Sequence, residues 1–280
     1  MKKNNGITLI ALIITIIVML ILVAVSLNIL IKSNLIGIAE KAVDKYKMAS
    51  EEEKEGIIEI DGKKYSSLEE YLDYSQAYKG LTVTVDTPDV EFTKADGTTT
   101  GDVNNLEMGD IVKYGDYEYH YNQAYYNNPF GSGWSDDETI DGWGVKIADD
   151  IGNKEKYGEL CGQIYGKNLK NMDSLFFSSN CLITSAPEIP YGVESMGSTF
   201  QNCQELKEGT KIPTTVKNLD YCFSSCYKLE GTIIIDSNPE SYNNCFSDAG
   251  TKGAGITVKG KSTILDEIIA TGGEKVTRGE

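Results

Sequence analysis

Val193-Glu194-Ser195-Met196-Gly197-Ser198-Thr199-Phe200-Gln201-Asn202-Cys203-Gln204-Glu205-Leu206 is the stretch that decides the fold, because its pattern returns in register along the C-terminal third of the chain. Anchored on Phe176, Phe200, Phe223 and Phe246, the pattern steps by 24, 23 and 23 residues. Before the phenylalanines come Leu169 and Met172, Val193 and Met196, Val216 and Leu219, and finally Tyr242. Spacings of three and then four predict that these residues share one face of a short helix. After them Leu182, Leu206 and Leu229 stand at one common offset. Ile189-Pro190, Ile212-Pro213, Ile235 and Val258 follow and read as short strands, clearest in Thr232-Ile233-Ile234-Ile235 and Gly255-Ile256-Thr257-Val258. A unit of this size cannot bury its apolar face alone, so the units must stack into a solenoid with a continuous core. The four phenylalanines and three leucines are its predicted core.

The stretch from Val193 to Leu206 resembles the BspA-type leucine-rich repeats of bacterial surface proteins, and the resemblance covers about residues 169–260. It implies a non-enzymatic recognition surface, with a host or cell-surface protein or a glycan as partner and adhesion as the role. Such a short solenoid needs caps. A small β domain is expected at one end, and at the other an apolar-faced helix over 262–270, stopped by Gly272-Gly273.

All six cysteines, Cys161, Cys181, Cys203, Cys222, Cys226 and Cys245, lie in or beside the repeats. Cys203 and Cys226 occupy equivalent offsets, as do Cys222 and Cys245, so they should stack on neighbouring coils. Disulfides between coils and a ladder of small buried thiols are both open, and the ladder is favoured because free cysteine packs as a small hydrophobe. No CxxC pair points to a metal.

Upstream, Ile57-Ile58-Glu59-Ile60-Asp61-Gly62-Lys63-Lys64-Tyr65 predicts a hairpin turned by Asp-Gly. Ser66-Ser67-Leu68-Glu69-Glu70 offers a capping box for a short helix. From about residue 80 to 166 the composition turns to Tyr, Thr, Gly, Asp and Asn, and Thr82-Val83-Thr84-Val85 and Ile111-Val112-Lys113-Tyr114 alternate as strands do. In Tyr117-Glu118-Tyr119-His120-Tyr121 the tyrosines fall on one face and Glu118 and His120 on the other. His120 is the sole histidine, has no partner at metal-ligand spacing, and is expected on the surface of a strand. Residues 125–143 are expected to form a long polar and aromatic loop. Tyr125, Tyr126, Trp134 and Trp143 make it a possible binding loop, of the kind that meets carbohydrate or protein. The competing reading folds the two tryptophans over the loop's own core. Calcium near Asp136, Asp137 and Asp141 lacks the EF-hand ligand order, because Thr139 stands at a needed position.

At the other end Met1 to Gly6 carries Lys2 and Lys3, and residues 7–31 are without charge. In a helix that run would extend ~37 Å, more than a ~30 Å hydrocarbon core. A cleaved secretory signal ending near Ala24-Val25-Ser26 and a plain uncleaved anchor are both readings of it. A third rests on Lys2-Lys3-Asn4-Asn5-Gly6 before Ile7-Thr8-Leu9-Ile10, which resembles the leader of type IV prepilins. That resemblance implies cleavage after Gly6 by prepilin peptidase, methylation of Ile7, and other pilin-like subunits as partners. Ile7 stands where the family has Phe, and Ala11 where it has Glu; an apolar Ala11 cannot neutralise a neighbour's terminal amine. Leu35, Ile36, Ala39, Val43, Tyr46 and Ala49 then predict an amphipathic helix.

A formal net charge of −16 argues against nucleic acid as partner. No catalytic arrangement stands out, so no cofactor and no enzyme activity are expected. A surface glycan hydrolase would be revived by two carboxylates facing each other in a cleft beside Trp134. The expected fold is α+β: a leader (1–6), a transmembrane helix (7–31), an amphipathic helix (32–56) and a hairpin and short helix linker (57–79). A small β domain (80–166), the repeats as a short leucine-rich-repeat-like solenoid (167–260) and a C-terminal cap and tail (261–280) follow. The expected protein is pilin-like, single-pass in a bacterial cell membrane and displays its C-terminal domains outside; a stand-alone adhesin is the alternative.

Overall fold

The structure is a computed structural model, and it describes residues 58–60, 63–65, 67–99 and 101–280. By backbone contacts the chain divides at Leu72/Asp73. In the first unit β1 (Ile58–Ile60) and β2 (Lys63–Tyr65) pair antiparallel with Ile58 opposite Tyr65, as an Asp-Gly hairpin should. α1 (Leu68–Gln76) starts where Ser67 Oγ accepts the Glu70 amide at 3.1 Å, satisfying one of the donors a helix start leaves open, and it runs across the boundary.

The second unit is built of strands. One mixed seven-stranded sheet has the order β3 (Leu81–Val83), β10 (Cys161–Ile164), β11 (Lys167–Asn171), β9 (Trp143–Ile147), β6 (Tyr117–Tyr121), β5 (Ile111–Tyr114), β4 (Glu91–Thr93). It curls on itself, because strands several places apart touch across its inner face. The Cys161 amide of β10 donates to the Tyr119 hydroxyl of β6, and the Trp143 indole of β9 donates to the Ile164 carbonyl. Tyr117, Tyr119 and Trp143 fill that inner face and are buried.

β11 is also the first rung of the repeats. Asn171 bridges in parallel to Ser195, Ser195 to Asn218, and Asn218 to Ser241, one coil apart each time. On another side of the coils β12 (Lys211–Ile212), β13 (Gly231–Ile235), β14 (Ile256–Lys259) and β15 (Val276–Arg278) make a parallel sheet, Ile233 opposite Val258. Phe176, Phe200, Phe223 and Phe246 stack through the middle, each ring 5.4 Å from the next and within 9° of parallel to it. The core runs unbroken from Val112 and Tyr119 in the curled sheet to Ile268 beyond the last coil.

The helices predicted before each phenylalanine are turns. Ser174, Ser198, Tyr221 and Asn244, each two residues before its Phe, have φ of 51 to 56°, which no right-handed helix tolerates. This conformation turns alternate amides outward. Met172, Ser174 and Phe176 donate to the carbonyls of Ser195, Gly197 and Thr199, all at 2.9 Å, and the next two coils repeat the pattern. The backbone is thus satisfied between coils rather than within a helix, while the three-and-four spacing still delivers its apolar residues to the core.

The α+β expectation is corrected. The described chain is mainly β, its helices are α1 and the five-residue α2 (Leu265–Ile269), and its largest element is the curled seven-stranded sheet rather than a long helix joined to a solenoid. The single-pass membrane placement and its prepilin reading are corrected with it, since no helix among the described residues is long and apolar enough to cross a membrane. The predicted span 7–31, the amphipathic helix 32–56 and the processing residues Gly6 and Ile7 lie outside the described residues.

Candidate functional site

Between β6 and β9 the chain leaves the curled sheet and returns to it. Asn122, at φ 52°, turns it outward; its amide donates to the Gly142 carbonyl and its side-chain oxygen accepts the Gly142 amide. The predicted loop between is a regular hairpin of β7 (Gln123–Asn128) and β8 (Gly131–Asp136), joined by Pro129-Phe130. Paired residues Tyr125 and Trp134 are explained by cross-strand aromatic packing, with ring centroids 5.4 Å apart.

This hairpin lies back over the outer face of the sheet. Gly144 of β9 permits the approach: a Cβ there would fall 1.9 Å from the Gln123 carbonyl oxygen. Trp134 stacks on His120 with centroids 3.8 Å apart and planes 14° from parallel. His120 is therefore buried, at 7% exposure, and its expected place on a strand surface is corrected. Alternation correctly puts it opposite the tyrosines, but a second layer covers that face.

Beneath the indole is a dense polar network. His120 Nε2 lies 2.8 Å from Glu118 Oε1 and Nδ1 lies 2.7 Å from Gln123 Oε1. Gln123 Nε2 donates to Asp136 at 2.6 Å. Lys146 and Lys113 approach Glu118 at 3.4 and 3.6 Å. Burial pulls the Glu118 carboxyl upward, but the His120 bond and the two ammonium groups outweigh it and hold the group below its ordinary range.

The hairpin's far end is exposed. Phe130 is 100% exposed and Tyr126 44%. The tip is shaped by its own sequence: Asn128 Oδ1 accepts the Phe130 amide at 2.9 Å, and Pro129 sets the first turn torsion. Asn127 Nδ2 donates to the Phe177 carbonyl of the first coil at 3.0 Å and fastens the hairpin to the repeats. Of the predicted binding loop, the structure brings Tyr125, Tyr126 and Trp134 onto this hairpin. Trp143 is a core residue and belongs to the sheet. Phe130 is not among the predicted residues, and the Asn128-Pro129-Phe130-Gly131 turn is its signal in the sequence.

The acidic residues of the segment take separate protein partners. Asp136 accepts from Gln123, Asp137 from the amide and hydroxyl of Thr139, and Asp141 from Lys167 and Tyr121. Among the described residues no group of three His, Cys, Asp or Glu side chains is placed to hold a metal. A separate cleft of about 500 Å³ is lined by Tyr78, Glu188, Tyr191, Lys211, Asp236 and Lys261 among others. Its two lysines are paired: Lys211 meets Asp236 at 2.8 Å and Lys261 meets Asp73 at 2.7 Å.

The repeat residues have structural places. All four phenylalanines, Leu206 and Leu229 are buried, whereas Leu182 is 46% exposed and is no core residue. All six cysteines are free and buried. The Cys203 and Cys226 thiols donate to the Phe176 and Phe200 carbonyls, each at 3.0 Å, and burial pushes the Cys161 thiol up to about 11. No family model, curated protein or solved structure matches the chain.

Proposed function

We propose that this chain is a non-enzymatic recognition protein, in which stacked coils and a curled sheet hold an aromatic hairpin toward a protein or glycan of a cell or host surface. The observation that carries the reading is Phe130, a large apolar side chain wholly in solvent on a turn that its neighbours pre-organise. Holding such a ring in water gains nothing for folding, while a preformed turn reduces the ordering cost of binding. The resemblance of the repeats to BspA-type surface proteins supports the same class of role. Stacked rings and coil-to-coil hydrogen bonds supply the rigidity that a presented loop needs.

The test compares the full chain with Phe130→Ala and with Lys211→Ala, a cleft variant, on a glycan array and on immobilised matrix proteins such as collagen and fibronectin. Binding that falls at least tenfold in Phe130→Ala and persists in Lys211→Ala, with unfolding midpoints unchanged, supports the hairpin as recognition surface. Binding indifferent to Phe130 but lost with Lys211 moves the site to the cleft.

A further inference from the structure

We infer that the cleft between the end of α1 and the first two coils is a binding site of its own, one that takes an uncharged saccharide of one or two rings. This site is separate from the hairpin, and its use does not depend on the hairpin's.

Two of the cleft's acids are already engaged. Lys211 holds Asp236, whose other oxygen accepts the Lys261 amide at 3.1 Å, and Lys261 in turn holds Asp73 in the last turn of α1. Both lysines of the lining are thereby committed. Other polar groups facing the same space are not. The hydroxyls of Tyr78, Thr210 and Thr214, the Gln76 amide and the Glu188 carboxylate have no hydrogen-bond or ion-pair partner among the described residues.

Thr210 keeps only 9% exposure, and a hydroxyl on so buried a residue ordinarily has a protein partner. It is nevertheless not sealed in, since among the described residues the fully enclosed side-chain polar atom without a partner is Ser237 Oγ. The residue lines the cleft, so the partner of its hydroxyl has to come from there.

The lining also specifies the chemistry of that partner. Burial, with the negative charges of Glu159 and Glu188 adding to it, raises the Tyr78 hydroxyl above its ordinary range, so it stays a neutral donor. Thr210 and Thr214 both donate and accept, Gln76 offers either, and Glu188 only accepts. A ligand that meets all of them carries several groups able to donate and accept at once, as sugar hydroxyls do. Ile189, Pro213 and the rings of Tyr78 and Tyr191 supply apolar surface for the C–H faces of a sugar ring. Tyr191 packs edge-on against Tyr74 at 5.4 Å, and its amide donates to the Tyr78 carbonyl at 2.7 Å, so the two tyrosines of the lining are fixed together. At about 500 Å³ the cleft has the scale of small-molecule sites, which run roughly 300–1,000 Å³. An anion would meet Glu188 while both lysines are engaged. A cation would gain a single exposed carboxylate, which contributes little.

The experiment titrates the full chain with maltose, cellobiose, lactose and N,N′-diacetylchitobiose, with spermidine and glucuronate as charged comparisons, by saturation-transfer NMR and calorimetry. The expected result is saturable binding of at least one of the disaccharides and of neither charged compound. Thr210→Val and Glu188→Ala should each weaken that binding on the order of tenfold, the size of one lost hydrogen bond whose partner stays unpaired. Glu188 is exposed, so Glu188→Ala carries the test if Thr210→Val lowers the unfolding midpoint. No binding of any disaccharide, binding of spermidine or glucuronate in their place, or disaccharide binding that the folded variants leave intact overturns the inference. Disaccharide binding that is lost in Phe130→Ala and intact in the cleft variants overturns it as well, while supporting the hairpin as the glycan surface.

Discussion

Leu182 and Leu206 stand at the same distance after their phenylalanines, yet one is half in water and the other is wholly buried. The first coil is a residue longer, and the extra residue falls between Phe176 and Ile189. Counted backward from Ile189, Ile183 takes the place that Leu206 holds before Ile212, and it is buried. Leu206→Ala and Ile183→Ala should each lower unfolding free energy by roughly 2–5 kcal/mol, and Leu182→Ala by less than about 1 kcal/mol. Urea titration of the three variants checks the assignment; a costly Leu182→Ala would refute it. At this scale spacing was legible, but a single insertion was enough to shift which residue reached the core.

Coils alternate in kind, a feature of the elements that single-unit matching overlooks. Lys170-Asn171-Met172-Asp173 and Lys217-Asn218-Leu219-Asp220 occupy one rung in the first and third coils, while Glu194-Ser195-Met196-Gly197 and Glu240-Ser241-Tyr242-Asn243 occupy it in the second and fourth. The alternation is complementary. Glu194 pairs with Lys170 below and with Lys217 above, the latter at 2.5 Å. Asp173 Oδ1 accepts from the Ser195 hydroxyl and the Gly197 amide, both at 2.6 Å, and Asp220 does the same for Ser241 and Asn243. Rungs of like charge would repel at this spacing, so alternation fixes the coil order as well as the register. Reversing one rung, Glu194→Lys, should cost on the order of 0.5–1 kcal/mol at low ionic strength, since these ions are partly exposed, and less in 1 M salt. A denaturation midpoint with no salt dependence would show the ladder to be ornamental. The double period of 46 to 47 residues was present in the sequence; only the parallel stacking, which sets these residues one above another, gives it a meaning.

Across the whole unit from Asp73 to Glu280, acid should be the sensitive side of the stability profile. Burial tends to raise the carboxyls of Asp116 and Glu194, but Lys154 with the Gly158 amide and Lys170 with Lys217 overcome it and hold both below the ordinary range, as His120 and the lysines do for Glu118. A folded pKa below the unfolded value contributes stability that is complete above about pH 5 and is lost as pH falls through the folded values. Asp173 runs the other way: burial raises it despite its hydrogen bonds, so its protonation in the fold partly offsets that loss. Thermal midpoints should be flat from about pH 5 to about 8 and should drop steeply below pH 4; a midpoint that rises in acid would reverse the sign of this balance.

By itself the sequence determined the period, the phenylalanine stack, the thiol positions and the strand alternation, because each depends on residues close together along the chain or on a repeat that reads the same locally. Tertiary structure alone decided that the units before each phenylalanine are turns, since their amides bond to the next coil and no local pattern records that partner. It also decided that His120 lies under Trp134. Alternation names the face on which a residue stands, whereas burial depends on what folds over that face, and here the cover is a hairpin that Gly144 admits to the sheet.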